Sequence, residues 1–360
     1  MLQPSFPTLD SVEKLIQSAI AARAFPAATV ITTQCGALAS HRFFGDFTYD
    51  SHSPTVNDET VFDLASLTKV LATTSMAMAL FERGIFRLDQ PLAEVLTDFA
   101  DEDSRRTLIT FRMLLAHSSG LPAHLRFFET ATTKDEVISA ALRSPLVTAP
   151  GTKVEYSDVG FILLGAALEA LAGEELSPFC QREIFAPIGM TRTCFNPPEA
   201  WRPDIPPTLN DDYYRNRIIQ GEVNDENAYA MGGAAGHAGL FAPAKDVAKF
   251  ALCMLRGGSP VFKPETVSLF TQRGSSPAGS SRALGWDTPS APSQSGKYFS
   301  PESFGHLGFT GTSLWIDPLR DVSITLLTNR TWPDAKSQAI KQVRPAIHDG
   351  MMEAILSRTP

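Results

Sequence analysis

The chain has 360 residues, of which 43% are hydrophobic and 19% are charged, and its mean hydropathy is −0.04. This balance is typical of a folded globular protein and excludes a disordered or fibrous chain, while the length allows about one to three domains. The net charge of −8, without any basic cluster, disfavours a nucleic-acid partner. The four cysteines are widely spaced and indicate neither a zinc site nor a disulfide framework.

The first predicted elements are a helix and a hairpin. Ser11–Arg23 places its apolar residues on one helical face, with Asp10 or Ser11 as the cap. Two β-like stretches follow, Ala27–Thr33 and Ala37–Phe44, and the short separator between them predicts a turn.

Helical patterns dominate the middle of the chain. They cover Ser66–Arg83, Thr110–His117, Lys134–Leu142, Ser157–Leu171 and Ala244–Leu255. The chain then returns to short predicted strands: Phe304–Phe309, Thr312–Asp317 and Val322–Thr328. A last helical pattern contains Pro345, which predicts a kink or a break there.

Strand-like sequence at both ends favours an α/β (α+β) architecture. We expect one antiparallel sheet built from both chain ends, helices packed on it, and a mainly helical lobe inserted between them. The sheet lobe would comprise about residues 1–65 and 245–360, and the helical lobe about residues 66–244, in a single catalytic unit. Asn196–Pro207 and Gly274–Pro301, rich in Pro, Ser or Gly, are predicted surface loops.

The N-terminal sequence bears on the compartment. Residues 1–10 contain neither the basic nor the apolar segment of a signal peptide, and no apolar run approaches the roughly 18 residues that a spanning helix needs. We therefore expect a cytoplasmic protein without a membrane span, or a periplasmic one if a leader has been removed. The oligomeric state stays open.

The first candidate for chemistry is Ser66, three residues before Lys69. A short apolar strand, Val61–Leu64, runs into a helix that is predicted to begin at this serine, where the helix dipole favours developing negative charge. Lys69 shares its helical face and could act as the base that a serine nucleophile requires. A helix cap followed by a surface lysine is the alternative interpretation.

Two later segments add further candidates. Tyr156 precedes an apolar helix, and beside a lysine its phenol could ionise and act as a general base, although a core tyrosine is the usual case. The glycine-rich stretch Gly305–Thr312 indicates close approach of a backbone or ligand, and its His306 could equally be structural.

Together these segments resemble the serine β-lactamase and penicillin-binding-protein superfamily, in its class C β-lactamase, D,D-peptidase and family VIII esterase branch. The resemblance rests on three motifs in order: Ser66-x-x-Lys69, Tyr156-x-Asp158 and His306-x-Gly308. It extends over Leu114–Pro122, Tyr156–Gly165 and Gly305–Pro318, and it implies the β-lactamase/transpeptidase-like fold and serine chemistry.

Two departures weaken a β-lactamase assignment. Asp158 replaces the asparagine of the second motif, and His306-Leu307-Gly308 replaces the Lys-Thr-Gly that helps to hold the substrate carboxylate in lactamases. An aspartate near Lys69 would also keep the lysine protonated, which shifts the role of base towards Tyr156.

A finer resemblance concerns Gly221–Phe250 and Leu326–Met351, which are similar to a sub-branch that includes exo-acting N-acetylmuramoyl-L-alanine amidases. Asn224 and Trp332 stand where histidine is common in that sub-branch. A polar cluster in the first segment suits a loop that binds a polar ligand, or a loop held by its own hydrogen bonds: Asn224, Asp225, Glu226 and His237.

The sequence therefore predicts a serine hydrolase with an acyl-enzyme on Ser66 and with Lys69 and Tyr156 as the acid/base pair. By the resemblance, the backbone amides of Ser66 and Phe309 would form the oxyanion hole. Substrate contacts are expected from Asp158, His306 and Gly308 and from the polar cluster, with His306 binding a carboxylate or orienting Tyr156.

An amide of a peptidoglycan-derived muropeptide ranks first as substrate. The alternatives are a family VIII carboxylesterase, a β-lactamase or D,D-carboxypeptidase, and an inactive binding or sensor protein on the same fold. The seven histidines show no metal-ligand spacing, so neither a metal nor another cofactor is expected.

Overall fold

The computed structural model describes residues 9–100 and 103–357. Residues 1–8, which carry most of the expectation about a signal peptide, lie outside the described residues. The helices are α1 (Leu9–Ala21), α2 (Ser75–Glu82), α3 (Phe111–Leu115), α4 (Lys134–Leu142), α5 (Asp158–Ala172), α6 (Leu176–Cys180), α7 (Ala186–Ile188), α8 (Glu226–Ala230), α9 (Ala244–Leu255), α10 (Pro264–Thr271) and α11 (Ile340–Leu356). The strands are β1 (Ala27–Gln34), β2 (Ala37–Gly45), β3 (Val61–Asp63), β4 (Cys194–Phe195), β5 (Leu209–Asp211), β6 (Arg217–Ile219), β7 (Leu240–Pro243), β8 (Phe304–Leu307), β9 (Ser313–Asp317) and β10 (Val322–Thr328).

The largest sheet joins the two ends of the chain, as predicted. Its five strands are ordered β2-β1-β10-β9-β8, and every neighbouring pair is antiparallel. The β1–β2 turn consists of Cys35 and Gly36, both at positive φ, which suits a two-residue hairpin turn with the right-handed twist of the strands.

Both faces of this sheet are covered, which explains why β1 is apolar on both sides. Ala28 and Val30 pack with α1 and α11 on one face, whereas Ala27 and Ile31 face the larger core on the other. Because side chains alternate along a strand, a single short segment contributes to both layers.

Helix α11 runs through Pro345 without the break that was one of the two outcomes predicted there. A proline cannot donate to the carbonyl four residues earlier, and that carbonyl normally loses its partner. Here the side-chain amide of Gln294 donates to the Lys341 carbonyl at 3.0 Å, so the oxygen left free by Pro345 is satisfied from outside the helix.

A second sheet has three strands in the order β3-β7-β4. All three residues of β3 are buried, and this strand leads into the segment that carries Ser66. The apolar helix α5 packs with β3 in the larger core, and the N-terminus of α5 lies at the cavity described below. Among residues 9–100 and 103–357, no helix combines the length and the apolar character that crossing a membrane requires.

Candidate active site

Ser66 lies in a tight turn rather than at the start of a regular helix. A 3₁₀ turn spans Ala65–Leu67 and leads into a π-helical segment, Lys69–Thr74, so the helix predicted to begin at the serine begins one residue earlier and is irregular. Ala65 has a φ of +46°, a strained value for a residue with a side chain. Its amide donates to Oδ1 of Asp63 at 2.8 Å, which holds the strained turn in place.

The side chain of Lys69 is fully buried, and its ammonium is surrounded by oxygen atoms. Its Nζ donates to Oγ of Ser66 at 2.9 Å and to the carbonyl of His237 at 2.9 Å, and it lies 2.7 Å from Oδ1 of Asp158. Burial disfavours the charged ammonium, but the Asp158 carboxylate outweighs it and raises the pKa of Lys69. Lys69 is therefore a cation at neutral pH.

Asp158 lies at the N-terminus of α5, where the dipole of the helix stabilises its charge. Its other carboxylate oxygen lies 3.6 Å from Nδ1 of His124. Burial opposes ionisation of Asp158, yet Lys69 and His124 hold its pKa well below its usual range. The residue that replaces the family's asparagine thus forms a buried ion pair with the predicted base.

Tyr156 is held by the residues beside it. The side chain of Ser157 caps α5, and its backbone amide donates to Nδ1 of His117 at 3.1 Å. The His117 ring packs 4.6 Å from the Tyr156 ring, and burial keeps the pKa of His117 well below its usual value, so this histidine is a neutral structural group.

The phenol of Tyr156 hydrogen-bonds with the side chains of both Ser66 and Lys69. Lys69 already donates to Ser66 Oγ, so the hydroxyl proton of the serine is free to point at the phenol oxygen. Burial nevertheless outweighs the nearby ammonium and raises the pKa of Tyr156 above its usual value. In the resting site Tyr156 is a neutral phenol.

His306 is buried on β8 with its ring 5.8 Å from that of Tyr156. Its Nδ1 lies 2.8 Å from the Leu307 carbonyl, which can only accept, so Nδ1 carries the proton, and the buried Nε2 is left as an acceptor without a partner among the residues that the structure describes. Burial lowers the pKa of His306 to about 3, with Lys69 adding to the effect. His306 therefore cannot bind a carboxylate as a cation at neutral pH.

The turn after His306 is attached to the segment before Ser66. Thr310 Oγ1 donates to the Asp63 carbonyl at 2.8 Å, and Thr312 Oγ1 donates to the Leu64 carbonyl at 3.0 Å. A Cβ on Gly308 would lie 2.0 Å from Thr312 Oγ1, so only glycine fits there. The amide of Phe309 donates to no acceptor in the part of the chain that the structure describes, so it is available to a ligand.

The polar cluster lies on another wall of the same site. The Asn224 amide donates to Oδ2 of Asp63 at 2.6 Å, and Asp225 caps α8. Nε2 of His237 lies 2.8 Å from Oδ1 of Asp225, while the His237 carbonyl holds Lys69. His237 is buried behind this wall, and burial raises the pKa of Glu226, which faces the cavity.

One cavity of about 610 Å³ collects most of these groups. Those predicted from the sequence that line it are Ser66, Tyr156, Asp158, Asn224, Asp225, Glu226, His306, Gly308 and Phe309. Lys69 and His237 lie behind them. Within residues 9–100 and 103–357, no group of three histidine, cysteine or acidic side chains is placed to hold a metal ion.

Several cavity residues were not identified from the sequence. His124 contacts Asp158, and the guanidinium carbon of Arg282 lies 5.4 Å from the Tyr156 ring. Arg330, Lys341 and Arg344 line the end of the cavity near Phe309. The only sequence signal for Arg282 is its position where the Ser- and Gly-rich loop gives way to an apolar run, which is not specific for a site.

Comparisons with known proteins show the family of the chain. The family model described as Beta-lactamase matches residues 12–345. The chain is 34% identical over 302 residues to a protein of Escherichia coli K12 named "Putative D-alanyl-D-alanine carboxypeptidase", covering 75% of this chain and 69% of that one. It is 31% identical over 365 residues to an N-acetylmuramyl-L-alanine amidase of Bacillus subtilis 168, covering 91% and 82%.

A solved structure agrees at the level of the fold. The octameric penicillin-binding protein homologue from Pyrococcus abyssi superimposes with a TM-score of 0.76 at 21% identity, over 97% of this chain and 77% of that chain. The predicted β-lactamase/transpeptidase-like fold is thereby confirmed.

Proposed function

Since the chain belongs to the β-lactamase family of serine hydrolases, we propose that it cleaves an amide bond of a peptidoglycan-derived muropeptide through an acyl-enzyme on Ser66. The observation that carries the chemistry is the contact of Ser66 Oγ with Lys69 and Tyr156 inside a cavity. A nucleophile, a proton acceptor and a cation in mutual contact are the parts that acyl transfer requires.

Tyr156 is the proton acceptor in this mechanism. The reactive enzyme is the fraction in which the Tyr156 phenol has lost its proton to solvent. As Ser66 Oγ attacks the carbonyl carbon, its proton passes to this phenolate, which then gives that proton to the leaving amine. Lys69 stays protonated, because Asp158 holds it so, and its charge stabilises the phenolate. Water next attacks the acyl-enzyme, Tyr156 takes its proton, and Ser66 leaves with that proton.

The tetrahedral oxyanion would be bound by the amides of Ser66 and Phe309. Each such donor typically lowers the barrier by about 3–4 kcal/mol. The Thr310 and Thr312 hydroxyls fix the turn of Phe309 against the segment of Ser66, so the two amides are positioned before the substrate binds.

The choice of a muropeptide amide is supported by the Bacillus subtilis relative, which aligns over 91% of this chain. The cavity wall formed by Asn224, Asp225 and Glu226 offers backbone and carboxylate groups suited to a polar, hydrogen-bonding substrate. A volume of about 610 Å³ lies within the usual range for small-molecule sites, which suits a fragment of that size.

A D,D-carboxypeptidase activity is the second candidate. The Escherichia coli relative carries that name, and Arg282 places a cation beside Tyr156, where a terminal carboxylate next to the scissile bond could bind. The Arg282 guanidinium makes only a 3.8 Å contact with Asp287 among the described residues, so it is available for a ligand.

The test combines acylation with substrate comparison. A fluorophosphonate should add to Ser66 in intact-mass spectra, and Ser66→Ala should fold normally without forming the adduct. We expect release of peptide from a MurNAc-peptide to outpace hydrolysis of p-nitrophenyl butyrate, of nitrocefin and of a peptide ending in D-Ala-D-Ala. Rapid ester turnover without any muropeptide turnover would overturn the substrate, and no Ser66 adduct with any acylating probe would overturn the enzyme.

A further inference from the structure

The end of the cavity beside Phe309 is lined by three basic side chains. They come from two elements that follow the catalytic turn in the chain: Arg330 after β10, and Lys341 and Arg344 on α11. Arg330 and Arg344 are buried, whereas Lys341 is exposed at the mouth. None of the three forms an ion pair with a carboxylate in the described residues.

Arg330 lies directly against Phe309. Its Nε donates to the Phe309 carbonyl at 2.7 Å, and its guanidinium carbon lies 4.4 Å from the centre of the Phe309 ring. One terminal nitrogen donates to the carbonyls of Ala335 and Ser337 at 3.2 and 3.1 Å. The other terminal nitrogen has no protein partner among the described residues.

Arg344 is bonded still more weakly. It donates to Oε1 of Gln294 at 3.2 Å and to the Thr312 carbonyl at 3.4 Å, and its buried Nε has no partner in the described part of the chain. Burial, together with the charge of Arg330, lowers the pKa of Arg344 to about 10. The two cations therefore repel each other in a site that offers them little compensation.

Two other buried arginines provide a comparison. Arg215 pairs with Asp211 at 2.8 Å and also donates to two carbonyls. Arg106 lacks a carboxylate and, like Arg330, donates to three backbone carbonyls, but it does not line the cavity. A buried cation without a carboxylate is costly, so Arg330 and the weakly bonded Arg344 together at one cavity end indicate a site completed by an anion.

We propose that Arg330 and Arg344, with Lys341 at the mouth, form a subsite that binds a carboxylate group of the substrate at a distance from the scissile bond. The planar guanidinium matches a carboxylate with two parallel N–H···O bonds. An anion bound there would contact the residues that hold Phe309, so binding of the acidic group also fixes the turn that carries the proposed oxyanion donor.

This inference rests on the proposed function, because the carboxylate would come from the peptide stem of a muropeptide, which carries free carboxylates. It extends that function by naming which part of the substrate is recognised. The recognised feature is the negative charge, so phosphate is the other oxyanion that the test must distinguish.

The first test measures binding without turnover. Glutarate should raise the melting temperature of the wild type by about 2 °C at ten times its Kd, and glutaramide should not. Arg344→Gln and Lys341→Gln should reduce the shift, and Arg105→Gln, which removes an exposed cation outside the cavity, should retain it. No shift with glutarate, a shift with phosphate alone, or an unchanged shift in Arg344→Gln would each overturn the subsite.

The second test measures selectivity. The p-nitrophenyl monoester of glutaric acid should show a KM at least about tenfold below that of its methyl-ester analogue, because one ion pair to a buried arginine is worth that much. In Arg344→Gln the ratio should fall towards one, and in Arg105→Gln it should not. Equal KM values in the wild type would contradict the subsite whichever amide the enzyme cleaves, whereas failure of the muropeptide assay alone would contradict only the proposed substrate.

Discussion

Nζ of Lys69 lies 2.7 Å from Oδ1 of Asp158 beside Ser66, with the lysine fully buried and the aspartate at the wall of the cavity. The pair fixes the lysine as a cation and leaves proton transfer to Tyr156. Because Asp158 also raises the pKa of Tyr156, one carboxylate sets the protonation of both partners of the nucleophile.

Asp158→Asn should therefore change the pH dependence of the reaction. Activity requires the phenolate of Tyr156, so kcat/KM rises with pH through the pKa of that group. Removing the carboxylate lowers the pKa of Tyr156, so the rise of kcat/KM should move to lower pH. The measurement is kcat/KM from pH 6 to pH 11, in which the variant should level off at a lower pH than the wild type.

Glu226→Gln is the control for that profile, because it removes a cavity carboxylate that forms no ion pair with Lys69. Its acid limb should stay where the wild type has it. An unmoved limb in Asp158→Asn would mean that Tyr156 is not the group whose ionisation limits the rate.

Lys69→Met should be both inactive and unstable. It leaves Asp158 buried without its cation, which typically costs about 3–5 kcal/mol of unfolding free energy. The double variant Lys69→Met/Asp158→Asn should regain most of that stability without regaining activity. Urea unfolding at pH 7.5 measures these differences in unfolding free energy. The control is Lys153→Met, which removes the lysine of an exposed pair with Glu155 and should cost about 1 kcal/mol of unfolding free energy or less.

The cost in Lys69→Met should also shrink in acid. Without the lysine, burial raises the pKa of Asp158, so the variant gains a proton as the pH falls and recovers stability relative to the wild type. A stability difference that is constant from pH 4 to pH 8 would contradict the assignment of the buried charge.

Asp63 connects two walls of the site. One oxygen accepts the Ala65 amide and the other accepts the Asn224 amide. Asp63→Asn turns one acceptor into a donor facing an N–H group, which should cost about 1–3 kcal/mol and lower kcat more than tenfold. Asp246→Asn, another buried carboxylate that accepts a backbone amide, should lose comparable stability but keep the kcat of the folded enzyme.

The burial of Asp63 also predicts how the stability of the protein changes with pH. Burial raises the pKa of Asp63 to about 6 in the folded protein. Its contribution to stability is therefore present below the usual carboxyl pKa and is lost as the pH rises through about 6. Asp63→Asn should lack this loss, so the stability gap between the variant and the wild type should be larger at pH 4 than at pH 8.

Two threonines allow a test of the turn that carries Phe309. Thr312→Val removes the hydroxyl that donates to the Leu64 carbonyl and leaves that oxygen unpaired, which should cost about 1–2 kcal/mol and lower kcat. Thr325→Val makes the same change on β10, where the buried hydroxyl has no partner, and should be neutral or stabilising. Equal losses in both variants would show that the bond to Leu64 does not position the turn.

Much of the fold could be predicted because its signals are local. The limits of α4, α9 and β10 match the predicted ranges, since regular apolar spacing and flanking turn residues mark them. Ser66, Lys69 and Tyr156 could be identified because their motifs stand in a fixed order along the chain. Of the kink or break predicted at Pro345, the break does not occur, and the sequence could not show this because the compensating donor, Gln294, is distant in sequence.

The other groups of the site could not be predicted for a related reason. The neutrality of His306 depends on its burial beside Lys69 and Arg282, which no short-range pattern encodes. Arg282 and Arg344 reach the cavity from a loop and from the terminal helix, and in the sequence each resembles an ordinary surface arginine. Tertiary packing alone brings these cations together.

The pairing of β1 with β10 gives the protein a late step in folding. Ala28 lies opposite Thr328, three hundred residues further along the chain, so the central pair of the sheet forms only after that whole span has been synthesised. Such distant pairing slows folding. The turn with Phe309 belongs to this last portion, so a nascent chain would carry Ser66, Lys69 and Tyr156 without the second oxyanion donor. Hydrolytic activity should therefore appear only once the C-terminal strands have docked.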